Sequence, residues 1–118
     1  RMAEHLIDGA HELQGIGPFD EGAAFAQRAQ RLAQTSRQHA LAAYLGAGHL
    51  RALGRIDHAR AEYVRAMTLF RALGGVTGRA GLAAPIGGLA TCAREQGAGG
   101  ETRRARGPGA PGYQGGPA

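Results

Sequence analysis

The chain contains no lysine and no tryptophan, one cysteine, and only 5% aromatic residues in 118. Without large rings, a core has to be built from alanine and leucine at close backbone approach. The single thiol, Cys92, forms no internal disulfide, so a reducing compartment is expected. No apolar run approaches the ~18 residues that would cross a bilayer. No basic stretch followed by an apolar run opens the chain, so no secretory signal is read, and a cytoplasmic location is expected. At 12.2 kDa the length suits one domain and leaves no room for a separate cofactor module.

What is present is 43% apolar residues, 21 glycines and a net charge of +5 carried wholly by arginine. Composition shifts at Gly97. Of the 22 residues from Gly97 to Ala118, eight are glycine and three proline, and Tyr113 is the one large apolar group. Such a segment buries too little to offset its ordering entropy, and 97–118 is expected to be a disordered tail.

Residues 1–96 carry helical periodicity throughout and no strand-like alternation, which predicts an all-α domain of about five helices. Over His58–Leu73, Ala59, Tyr63, Ala66, Phe70 and Leu73 fall on one face, with Arg60, Arg65 and Arg71 opposite. Asp57 is expected to cap this helix and Gly74-Gly75 to stop it. Further helices are expected over Ala3–Leu13, Phe19–Ala33 with Pro18 in the first turn, and Arg37–Leu53. In Arg79–Glu95, Pro85 interrupts the pattern at a cost of about 3 kcal/mol, so the regular part is expected to start or bend near Ala84.

Sliding the chain by 37 residues places Gly17 on Gly54, Phe19 on Ile56, Asp20 on Asp57, Gly22 on Ala59 and Ala29 on Ala66. The repeated unit is a helical hairpin whose apolar face needs the next hairpin to cover it. With Gly54 at the turn, Ala47, Leu50, Ala59, Tyr63 and Ala66 take the signature positions of the tetratricopeptide repeat. With Gly17 there, Ala10, Leu13, Gly22, Ala26 and Ala29 do so. Gly97 supplies only Ala90 and Ala93 before the pattern stops. The chain thus resembles the tetratricopeptide repeat family. The stretch 70–80 resembles the longer linkers of bacterial LuxR-type regulators and signalling ATPases.

That resemblance implies a short right-handed α-solenoid, with hairpins over about 1–37 and 38–78 and a partial one over 79–96. It implies binding of a peptide or partner domain on the face lined by the first helix of each hairpin. The family's positions fall on Glu4, Ile7, His11 and Gln14, on Leu41, Tyr44, Gly48 and Arg51, and on Ala84, Gly87, Thr91 and Arg94. Of these, Tyr44, Leu41, Arg51, Ile7, His11, Gln14 and Arg94 are the candidate partner-binding residues. Tyr44 offers area and a polar tip, and packing against a neighbouring helix explains it equally well.

Chemistry finds little footing. His11-Glu12 begins like a zinc-protease motif, but Gly15 stands where the second histidine is needed. His5, His39, His49 and His58 have no ligand spacing, so no metal is expected. Cys92 has no base beside it in sequence, and no phosphate-binding loop occurs, so neither catalysis nor a cofactor is expected. Charge divides into +2 on the tail and +3 on the body, with no basic stripe. Arg103, Arg104 and Arg106 offer at most nonspecific, salt-sensitive phosphate contacts. The expected function is a protein-interaction module within a larger bacterial regulator. The alternatives are a spacer with no ligand of its own, or weak nucleic-acid binding through the tail. The last hairpin, lacking a neighbour, is expected to leave a face open to self-association.

Overall fold

A computed structural model describes residues 2–105, with side chains through Gly97. Five helices follow one another: α1 Met2–Glu12, α2 Phe19–Leu32, α3 Ser36–Ala52, α4 Ile56–Leu73 and α5 Gly75–Ala105. The described residues contain no strand. None of the helices is long and apolar enough to cross a membrane.

Each helix packs on its chain neighbours, and α3 also touches α1 and α5. Among the described residues the backbones of α1 and α2 stay apart from those of α4 and α5, and a single side-chain bond, Gln30 to Glu62, bridges α2 and α4. Helices α1, α3 and α5 therefore form one layer and α2 and α4 a second. The row is open, where a closed bundle would bring its first and last helices together. The thinnest dimension, 19 Å, matches two helix diameters.

Small side chains set the spacing between layers. Ala10, Ala26, Ala29, Ala47, Ala59 and Ala66 are fully buried, so helix backbones meet without long side chains between them. Gly22 is needed for a specific reason. A Cβ there would run into the imidazole of His49, which lies 1% exposed between α1, α2 and α3. Its Nε2 donates to the Ala10 carbonyl at 2.8 Å, tying α3 to α1 across 39 residues of chain. The Phe19 ring covers it at a centroid distance of 6.0 Å. Further along, the Tyr63 ring sits against Gly88, where any side chain would collide with it.

Helix ends differ from expectation in several places. Asp57 does not cap α4: Arg55 holds that position without a side-chain bond, and Asp57 lies in the first turn, favourable to the helix dipole. Pro18 is the N-cap of α2, one position before the first turn, with the φ of −65° that a helix start accepts. Gly74, at φ 71°, ends α4 as expected. Helix α5 begins at Gly75, nine residues before Ala84, and runs through Pro85. The physical reason lies in packing. A Gly78 N–H to Gly74 carbonyl bond of 2.9 Å closes its first turn, Gly78 sits against the Phe70 backbone carbonyl, and Gly81 against the Phe70 ring. Those contacts outweigh the local preference of the proline.

The helix also continues past Gly97 to Ala105. The three prolines of that region all follow Ala105, and Glu101–Ala105 is free of glycine. The rest of the expected tail, including Arg106, lies outside the described residues. So do the side chains of Arg103 and Arg104.

Candidate functional site

A groove of about 360 Å³ runs between α1 and α3 on the outer side of their layer. Its floor is apolar: Ile7 from α1, and Leu41, Tyr44 and Leu45 from α3. Helix α1 contributes Glu4, Asp8 and His11 along one wall, and Arg37 and Gln38 close the α3 side. Gln14 completes the end nearest the turn after α1. The helical repeat explains the grouping. Glu4, Ile7, Asp8 and His11 recur at three- and four-residue steps on one side of α1, as Arg37, Leu41 and Tyr44 do on α3.

Five of the seven residues expected from sequence thus lie together: Ile7, His11, Gln14, Leu41 and Tyr44. Tyr44 serves two purposes, being half-buried in the groove while its ring tilts against Tyr63 at 6.0 Å between centroids. Arg51 and Arg94 do not line the groove. Arg51 points along the layer to α5, paired with Glu95 at 3.4 Å and lying beside the Tyr63 hydroxyl. Arg94 is exposed and donates to Thr91 Oγ1 at 3.1 Å on its own helix. Sequence spacing missed Asp8, Arg37, Gln38 and Leu45. The signal for Asp8 was its four-residue step from Glu4.

The polar side chains have distinct states. Gln38 is 9% exposed, and its Oε1 accepts the Gln34 N–H at 2.8 Å. The Gln38 N–H in turn donates to Thr35 Oγ1 at 3.1 Å, which caps the start of α3. Among the described residues the Gln38 side-chain nitrogen has no partner. Glu4 and Asp8 are exposed and make no ion pair with any described residue. Deeper in the molecule, burial pushes the Tyr63 hydroxyl above its usual range, and Arg51 beside it opposes that rise. Burial likewise pushes the Cys92 thiol up.

Charge is unevenly spread along the chain. Between Arg1 and Arg28 there is no arginine, yet Glu4, Asp8, Glu12, Asp20 and Glu21 account for five of the nine carboxylates. A protein of net charge +5 thus places an acidic helix at one end, and the groove opens beside it.

A second cleft of about 400 Å³ lies on the opposite side, between α2 and α4. Its floor is Gly46 and Leu50, and its walls are already joined by the Gln30 amide donating to Glu62 at 3.0 Å. No group of three metal-ligating side chains occurs among the described residues. No family model matches the chain, and neither does any curated protein or solved structure.

Proposed function

We propose that this chain is a tetratricopeptide-like α-solenoid segment that binds a peptide or partner domain in the groove between α1 and α3. In this reading it is a non-catalytic interaction module of a larger cytoplasmic bacterial regulator. The observation that carries it is the convergence of Ile7, His11, Gln14, Leu41 and Tyr44 on one groove. Two further features support the reading. The open row of helices has the contact order of a stacked array, and the repeat-equivalent pairs Ala10 and Ala47, and Ala29 and Ala66, are all fully buried.

The test is partner capture by the full chain compared with a Leu41→Asp variant. A protein retained by the native chain and lost with the variant supports the groove. Equal retention by both moves the binding surface elsewhere. A second reading, a spacer array without its own ligand, draws on the open face of α5, which suits continuation by further repeats. It expects no specific retention by either form.

A further inference from the structure

We infer that the groove between α1 and α3 selects a basic–aliphatic peptide segment, one that presents arginine or lysine beside leucine-class side chains. This rests on the groove being a docking site and adds the chemistry of its occupant. Three observations converge. The first is charge: Glu4 and Asp8 stand one helical turn apart on the rim, exposed and unpaired among the described residues. They lie in the stretch of the chain that has carboxylates and no arginine, on a protein otherwise strongly basic. A cationic side chain is drawn to this rim and repelled by most of the remaining surface.

The second is shape. The floor of Ile7, Leu41 and Tyr44 is apolar, and about 360 Å³ sits at the small end of ligand pockets, enough for a few aliphatic side chains. The third is Gln38, buried to nine-tenths, whose side-chain nitrogen has no partner among the described residues. It supplies a donor for a backbone carbonyl of an extended peptide. Arg37 on the opposite side sets polarity: the cationic end of the occupant lies toward α1 and away from the start of α3.

The experiment is fluorescence anisotropy on the full chain with two labelled synthetic hexapeptides. One alternates arginine and leucine, and its twin carries glutamate in place of arginine. The arginine peptide should bind and weaken with added salt. A Glu4→Gln/Asp8→Asn double variant should lose about three- to tenfold in affinity, as expected for two exposed ion pairs. Glu21→Gln, an acid on α2 outside the groove, should lose nothing. Equal or tighter binding of the glutamate peptide, or no loss in the double variant, overturns the assignment. If that tighter binding disappears with Leu41→Asp, the groove stands as a docking site and only its occupant was misassigned. Arginine-peptide binding that ignores Leu41→Asp removes the groove itself. Absence of binding by both peptides rejects the basic–aliphatic occupant. Self-association of the chain, measured by sedimentation and abolished by the double variant, replaces the foreign segment with a second copy.

Discussion

Helices α3 and α5 lie in the same layer and present the same two faces, yet among the described residues only α3 has a neighbour on both. Aligned on the turn glycines Gly54 and Gly97, Ala42, Leu45 and His49 of α3 correspond to Pro85, Gly88 and Cys92 of α5. The face they define looks back at the preceding hairpin. It is closed in both helices, with Ala42, His49, Pro85 and Cys92 essentially inaccessible and Gly88 pressed against the Tyr63 ring. The other face reads Ala40, Ala43, Ala47 and Leu50 in α3, where α4 covers it. In α5 it reads Ala83, Ile86, Ala90 and Ala93, all exposed, with Ile86 at 51%. The same residue types are therefore core in one helix and surface in the other. Their burial is decided by the presence of a following helix, and alanine content alone does not reveal it.

The largest expected effect comes from removing the contact that joins the two helices. Tyr63 on α4 belongs to one buried cluster with Ala47, Ala59 and Cys92, lies at a tilt to Tyr44, and is the surface onto which Gly88 fits. Tyr63→Ala should cost about 3–4 kcal/mol in urea unfolding, since no neighbouring side chain is long enough to fill the space. Loss of the α5 amide protection should exceed that of α1 in hydrogen exchange. Equal loss in both would show that α5 does not depend on this ring.

A matched pair of substitutions sharpens the comparison. Ala47→Leu, on the covered face of α3, should overpack the α4 contact and cost about 1–3 kcal/mol. Ala90→Leu, its equivalent on α5, should stay within about 0.5 kcal/mol of the native chain. Comparable costs at both positions would mean that α5 has a neighbour on its outer face in solution, and sedimentation would then identify a second copy or its absence.

The contrast also explains what could be read in the sequence. Helices α1 to α4 were legible to within two residues because their apolar spacing, their glycine stops and their repeat agree with one another. The repeat also located most of the groove, since Ile7, His11, Leu41 and Tyr44 take their places from local periodicity. Arg51 falls outside the groove because its direction is fixed by Glu95 and Tyr63, residues distant in sequence. The start of α5 was missed for the same reason: Pro85 argues locally against the helix, while Phe70 holds Gly78 and Gly81 in place. The Thr35–Gln38 cap, by contrast, follows a spacing that the sequence does display.

The smallest effect concerns pH, and it separates the interior between α3, α4 and α5 from the acidic groove at the other end. Burial raises the pKa of both Tyr63 and Cys92 above their free values, so the folded state holds these protons more tightly than the unfolded chain. Below the unfolded thiol value of about 9 and the phenol value of about 10, both states are protonated and no stability is lost. As pH rises beyond those values, the unfolded state releases protons first, and folding free energy falls. Melting temperature should therefore decline from about pH 9 upward. Cys92→Ala should remove the earlier part of that slope and Tyr63→Phe the later part, while Glu4→Gln/Asp8→Asn should leave the alkaline slope unchanged. A slope that persists in the Cys92→Ala/Tyr63→Phe double variant would place the proton-sensitive contact outside the α3–α4–α5 interior.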